Sequence, residues 1–160
     1  MVDFLVIGTV GSITYSNIFP LIKDGNVSFG WNRVVEFEDG SKFGNIRWFS
    51  NISDYYPPKL ELKKQYNEVD YHKFDNYDCI NIDRIEDIPV DYDGLMGVPI
   101  TFIDKWNPEQ FELIGIFCDN RNGNYLINGD PRYINEGHKS YVGPVIDGKA
   151  FFAKLVIKKK

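Results

Sequence analysis

The sequence predicts an α+β fold, a mixed α/β start followed by a mostly antiparallel β region, and three observations carry that prediction. Phe4-Leu5-Val6-Ile7-Gly8 is an unbroken apolar run, the pattern of a strand covered on both faces in a parallel sheet. Tyr15, Ile18, Phe19 and Ile22 then recur at helical spacing, one face of a short helix. From residue 26 onward, short aromatic and β-branched stretches alternate with the turn signals Asp39-Gly40, Asp93-Gly94 and Asp147-Gly148.

A strand buried on both sides needs neighbours on both sides. With only Met1-Val2-Asp3 ahead of it, the first run is expected to belong to a sheet completed from elsewhere. The helix has Ser12 or Thr14 as candidate N-cap, and Pro20 implies a kink or a fresh first turn, because it donates no backbone hydrogen bond. Asp24-Gly25 ends it. Val27 to Trp31 alternates, and the stretches Val34–Phe37 and Ile46–Phe49 flank a turn, so residues 33–49 read as a hairpin. Pro57-Pro58 breaks the chain before Leu60 to Lys64, which alternates like a half-exposed strand. Residues 66–78 read as an ordered loop and Ile80-Asn81-Ile82 as a short strand.

Val98 to Ile103 is expected to be extended, with Pro99 near an edge or bulge. Asn107-Pro108 resembles a helix start, Asn107 capping and Pro108 in the first helical position. Phe111 to Phe117 resumes a strand, residues 119–137 read as a long loop broken by Tyr125-Leu126-Ile127, and Phe151 to Ile157 is a closing strand. Residues 1–25 and 26–160 are expected to form one compact unit.

At 160 residues, 43% hydrophobic and 26% charged, the chain is long enough for a real core and has no stretch of bilayer length. Its start lacks the basic opening of a secretory signal. Cys79 and Cys118 fit no zinc or redox spacing, and His72 and His138 are the only histidines, a poor start for a catalytic triad or a histidine metal site. These features suit a reducing cytoplasm. Aromatic side chains make up 16% of the chain, which fits a β-rich core, a stacking surface for bases, or an interface.

The net charge of −5 is unevenly spread. Residues 67–120 carry three basic and thirteen acidic side chains, whereas residues 121–160 carry eight basic and three acidic. That argues against a generic nucleic-acid coat but leaves room for a local phosphate-facing strip. Lys158-Lys159-Lys160 is expected to be a solvated tail.

Gly8-Thr9-Val10-Gly11-Ser12 follows a strand, but it lacks the spacing of a phosphate-binding loop, and a tight strand-to-helix turn is the better account. Asp83, Glu86, Asp87, Asp91 and Asp93 do not match a calcium-loop frame and read as a solvated acidic loop. Asn45, Arg47, Trp48 and Asn51 lie on or beside one aromatic strand. At a period of two, Asn45, Arg47, Phe49 and Asn51 share a face and Trp48 points away with Ile46. Arg and Asn suit purine edges or phosphate, so these four are the candidate nucleic-acid contacts, against the plainer account of a hairpin with one polar solvent face.

Several strings together carry a family resemblance. Ile18-Phe19-Pro20-Leu21-Ile22-Lys23, Phe43-Gly44-Asn45-Ile46-Arg47-Trp48-Phe49, Tyr92-Asp93-Gly94-Leu95-Met96-Gly97-Val98-Pro99-Ile100-Thr101-Phe102, Asn107-Pro108-Glu109-Gln110-Phe111-Glu112 and the closing Lys154-Leu155-Val156-Ile157-Lys158 resemble the adenine-specific DNA methyltransferases of the EcoRI type. The resemblance implies methyl transfer from S-adenosylmethionine to N6 of an adenine extruded from duplex DNA, in partnership with a restriction enzyme.

It also implies which part of such an enzyme this is. Members carry a glycine-rich cofactor loop and an Asn-Pro-Pro-Phe or similar motif that grips the adenine. Here Pro57-Pro58 stands between Tyr56 and Lys59, without the amide or the stacking ring. By resemblance the chain corresponds to the C-terminal half: a strand and helix of a partial Rossmann-like methyltransferase sheet, then a β-rich target-recognition region. Thr9 to Ser12 departs from the family pattern, while Ile13-Thr14-Tyr15 keeps it, making Tyr15 the candidate substrate-pocket residue. The implied partner is double-stranded DNA, with a missing N-terminal catalytic half or a separate cofactor-binding chain, and no membrane. S-adenosylmethionine is implied for the complete enzyme, with no cofactor bound by this chain alone. The alternative is a stand-alone DNA-binding or protein-interaction module that has lost the chemistry.

Overall fold

In the computed structural model, residues 2–15, 17–29, 36–52, 56–117 and 143–160 are described. Strand β1 (Leu5–Thr9) leads directly into a 3-10 helix, Val10–Thr14, and then into the short helix α1 (Phe19–Lys23). Pro20 lies in the first turn of α1, so it starts that helix instead of bending a longer one; neither Ser12 nor Thr14 caps it. Gly25, at φ 74, lets the chain leave the helix. Ile13, Phe19 and Ile22 from these turns enter the core.

Strands β2 (Ser28–Phe29) and β3 (Ile46–Ser50) follow, and the first sheet has the order β1-β3-β2, antiparallel throughout. The register sets Ile7 opposite Trp48 and Gly8 opposite Arg47. This corrects the parallel, doubly covered reading of the first run. Among the described residues β1 is an edge strand, and Leu5, Val6 and Ile7 are 58%, 49% and 44% exposed. Between β2 and β3 the described part of the expected hairpin holds a turn, with the amide of Gly40 donating to the carbonyl of Phe37. The rest of its first arm lies outside the described residues.

The second sheet is built from β4 (Lys73–Phe74), β5 (Tyr77–Asn81), β6 (Met96–Pro99), β7 (Phe111–Phe117) and β10 (Lys154–Lys159), in the order β4-β5-β6-β10-β7. Only β5 and β6 run parallel. The last strand is inserted in the middle, so Lys158 and Lys159 are strand residues and not a free tail. The sheet is packed on both faces. Leu155 and Ile157 join a core that runs from Val10 and Phe19 through Ile80, Phe102 and Phe111, whereas Val156 joins Phe74, Tyr77, Cys79 and Phe117 on the other side.

A bulge makes that division possible. Gly115 faces Val156 and Leu113 faces Ile157, leaving Ile114 as the extra residue. It resets the alternation, so Leu113 and Ile116 both reach the larger core while Ile114 packs on the opposite face. The hairpin of β8 (Val145–Ile146) and β9 (Lys149–Ala150) lies beside this second core. Its turn, with Asp147 and Gly148 at positive φ, is held by Asp75, whose carboxylate accepts both turn amides at 3.2 and 2.8 Å.

Three segments differ from the sequence expectation. Pro99 ends β6, and Ile100–Lys105 forms a 3-10 helix in place of further strand, burying Phe102 and Ile103. Leu60 to Lys64 lies outside the sheets, and among the described residues its one bridge is from Lys64 to Pro89. Leu60 is fixed by Gln110, whose side chain accepts from its amide at 2.7 Å and donates to its carbonyl at 2.8 Å. Asn107 caps one turn and no full helix follows, its side chain accepting from the amide of Glu109. The loop expected at 119–137 lies outside the described residues.

Candidate nucleic-acid interface

The strand carrying the candidate contacts is β3, and its inner face is the one that holds Arg47 and Phe49. Phe49 is buried edge-to-face on Phe29, with ring centroids 4.9 Å apart. Gly8, opposite Arg47 on the neighbouring strand, lies diagonally from it, and a Cβ there would come within 2.8 Å of Phe49 Cε2. The glycine near the end of β1 therefore admits a neighbouring ring. At this turn Val10 is buried and its amide is taken by the carbonyl of Asn45 at 2.7 Å, so that amide is not directed at a ligand.

Arg47 is 1% exposed. Its Nε and Nη2 donate to the two carboxylate oxygens of Asp104, both at 2.7 Å, and Nη1 donates to the carbonyls of Gly44 and Ile46. Hydrogen bonding to Asp104 raises the guanidinium pKa, against the opposing effect of burial. The expected polar solvent face of this strand is thus its core face. A buried arginine is tolerated because a carboxylate from the 3-10 helix Ile100–Lys105 neutralises it and, with the carbonyls of Gly44 and Ile46, accepts its hydrogen bonds.

The remaining candidates separate into anchors and surface groups. Asn51 accepts from the amide of Phe4 at 2.8 Å and donates to the carbonyl of Val2 at 3.1 Å, fastening the start of the chain to the end of β3. Asn45 is exposed in the turn before β3, and Trp48 is half-buried on the outer face beside Ile7. Tyr15 is 62% exposed at the end of the first 3-10 helix. The structure thus brings Arg47 and Asn51 into the framework and leaves Asn45, Trp48 and Tyr15 with exposed side-chain surface.

The proline pair also serves the framework. Tyr56 stacks edge-on against Trp106 at 5.5 Å, and the carbonyl of Pro57 accepts from the side chain of Asn107 at 2.7 Å. The acidic run is solvated as expected, with Asp83, Glu86, Asp91 and Asp93 exposed, and several of its carboxylates also have partners: Asp87 with Lys64 at 2.6 Å, Asp83 with Lys154 at 3.3 Å, and Asp91 accepting from the amide of Tyr66 at 2.7 Å. Sequence reasoning missed the cavity of about 240 Å³ that these groups border, lined by Lys64, Asp70, Asn81, Asp83 and Asp87. Its only signal was the density of carboxylates. Among the described residues no group of three or more His, Cys, Asp or Glu side chains is arranged to hold a metal ion, and no helix is long and apolar enough to cross a membrane.

Comparison with known proteins places these features in a lineage. The family model for the adenine-specific methyltransferase EcoRI matches residues 31–160. The Type II methyltransferase M.EcoRI of Escherichia coli is 40% identical over 136 residues, covering 69% of this chain and 42% of that protein. The Type II methyltransferases M.MgeORF184P of Mycoplasma genitalium and M.MpnI of Mycoplasma pneumoniae are 32% and 33% identical over 186 aligned positions, each covering 99% of this chain and 57% of the relative. The chain spans about half the length of the curated relatives it matches. No solved structure matches it. With a family model covering most of its length, the chain belongs to the EcoRI family of adenine-specific methyltransferases.

Proposed function

We propose that this chain is the target-recognition portion of a Type II DNA methyltransferase acting on adenine N6, and that the portion binding S-adenosylmethionine and gripping the adenine is supplied by another stretch of polypeptide. Membership of the family supports the DNA substrate and the cofactor of the whole enzyme. The observation that carries the division of labour is the proline pair. The carbonyl of Pro57 is taken by the side chain of Asn107, the preceding Tyr56 packs on Trp106, and no Asn-Pro-Pro-aromatic string exists in the sequence to hold an extruded base. In this reading β1 and α1 extend a methyltransferase-type sheet, residues 26–160 form one unit with them, and Asn45 and Trp48 face the duplex. Arg47 and Asn51 contribute by holding their strand, and Tyr15 borders the substrate pocket of the assembled enzyme.

Two measurements test it. A low-salt gel shift with duplex DNA should show binding that weakens steeply with added salt, as phosphate contacts release counterions. Calorimetric titration with S-adenosylmethionine should show no micromolar site, and tritiated methyl groups should not reach DNA with this polypeptide alone. Transfer by the isolated chain overturns the reading. A chain that neither shifts DNA nor binds the cofactor is instead a protein-interaction module.

A further inference from the structure

The sequence holds four Asp-Gly pairs: Asp24-Gly25, Asp39-Gly40, Asp93-Gly94 and Asp147-Gly148. Such a pair is open to a spontaneous rearrangement, because glycine has no side chain to shield its amide nitrogen from the aspartate before it. The nitrogen attacks the side-chain carbon Cγ, a C–N bond forms, and the amide proton leaves with a carboxyl oxygen as water, closing a succinimide ring. Water then reopens the ring. Opening at the former main-chain carbonyl routes the backbone through the side chain and leaves a free α-carboxylate, an isoaspartate; the water lost in closing is returned in opening. Attack requires an amide that is released from any acceptor and able to turn towards Cγ.

Three of the four nitrogens are held. The amide of Gly25 donates to the carbonyl of Ile22 at 3.1 Å and that of Gly40 to the carbonyl of Phe37 at 2.9 Å, each closing a turn. The amide of Gly148 donates to the carboxylate of Asp75 at 2.8 Å. All three glycines sit at positive φ, 74°, 80° and 71°. Asp39 is restrained as well. Its carboxylate accepts from the hydroxyl and the amide of Ser41, and these bonds lower its pKa, keeping it in the ionised form from which oxygen leaves poorly.

Gly94 differs on each count. It lies in a bend before β6, outside the positive-φ region, and among the described residues its amide has no acceptor. The side chain of Asp93 is 95% exposed, with Lys159 Nζ 3.8 Å from its carboxylate. We propose that Asp93-Gly94 is the Asp-Gly pair at which this chain forms isoaspartate, and that the other three are protected by the bonds holding their glycine amides. The position has a structural consequence. Leu95, two residues on, supplies the carbonyl that accepts from the amide of Ile80, and Met96 begins β6, so the extra main-chain carbon enters just ahead of the β5–β6 pairing. The exposed α-carboxylate left at residue 93 is the group that a carboxyl-methylating repair reaction consumes.

The test ages the full chain in neutral buffer at physiological temperature for several weeks, folded in one arm and unfolded in guanidinium chloride in the other. Peptide mapping with electron-transfer fragmentation reads isoaspartate at each of the four positions. In the folded chain residue 93 should accumulate it at least fivefold faster than residues 24, 39 and 147, and in denaturant the four rates should draw together. Gly94 itself is a poor position to alter, since a Cβ there would meet the Tyr92 hydroxyl at 2.5 Å. Asp93→Glu, whose longer side chain closes a ring far more slowly, should instead remove the signal at 93. Asp75→Ala, which releases the Gly148 amide, should raise the rate at 147 several-fold and leave the rate at 93 unchanged. Circular dichroism confirms that both variants fold. Another position leading in the folded chain overturns the assignment, as do equal rates at all four. A folded-state order repeated in denaturant also overturns it, by making the difference one of sequence alone. An unchanged rate at 147 in folded Asp75→Ala overturns the protection assigned to the held amides.

Discussion

Arg47 and Asp104, 57 positions apart, are joined by two parallel bonds of 2.7 Å, and through them β3 is locked to the 3-10 helix after β6. The pair is almost sealed, with the two side chains 2% and 12% exposed. Breaking one side strands a charge in a poorly solvated place. Asp104→Ala should destabilise the fold by about 3–5 kcal/mol. Replacing both residues with apolar side chains of similar size should cost much less. Urea denaturation of the single and double variants, analysed as a cycle, measures the difference.

Gly8→Ala tests the close approach of β1 to the core. The added Cβ would meet Phe49 Cε2 at 2.8 Å, and that ring is already pinned by Phe29. A loss of about 1–3 kcal/mol in denaturant unfolding is expected, the usual cost of overpacking a filled site.

The phenol of Tyr92 is pushed up to about 12 from 10.0, chiefly by burial, with Tyr66 and nearby acidic groups adding to it. Its folded-state value lies above the unfolded one. The stability it contributes is therefore whole below pH 10 and declines as pH rises towards 12. Unfolding midpoints followed across that window should fall less steeply for Tyr92→Phe than for the native chain, and phenolate absorbance should report one late-titrating tyrosine fewer.

Asn51→Ala removes two bonds that fasten Val2 and Phe4. The expected cost is about 1 kcal/mol, felt locally, so hydrogen exchange at the Phe4 amide should accelerate more than exchange in β10.

Asn45 and Trp48 separate recognition from framework. Trp48→Ala should weaken duplex binding by about 1–3 kcal/mol if its ring stacks on a base, with Asn45→Ala adding to the loss. Both should melt close to the native temperature. Fluorescence anisotropy with a labelled duplex, paired with thermal melting, checks both statements.

Much of the second sheet could be read from the sequence because its signals are local. Phe111 to Phe117 and the closing strand are apolar runs of strand length, and Asp147-Gly148 states its turn outright. What failed was any choice made by a distant partner. Period two assigns Arg47 and Phe49 to one face of their strand but cannot say which face goes inward; Asp104 decides that. The same holds for the proline pair, whose role depends on Asn107 and Trp106. The bulge at Ile114 left only Gly115 as a sign, and the 3-10 helix after Pro99 overrode an apolar run that reads equally well as strand. The first run misled for a different reason: its composition describes a neighbourhood that the described residues do not contain.

Gln110 has a consequence for how this fold tolerates change. One amide side chain does for Leu60 what an adjacent strand does for other residues, between the Pro57–Asn107 bond on one side and the Lys64–Pro89 bridge on the other. Gln110→Glu keeps the oxygen that receives the Leu60 amide and removes the hydrogen that reaches its carbonyl, unfastening one hook of two. Protease nicking near Leu60 should then quicken while the five-stranded sheet melts almost where it did. Evolution can therefore redraw the path of that strap without renegotiating the sheet beneath it.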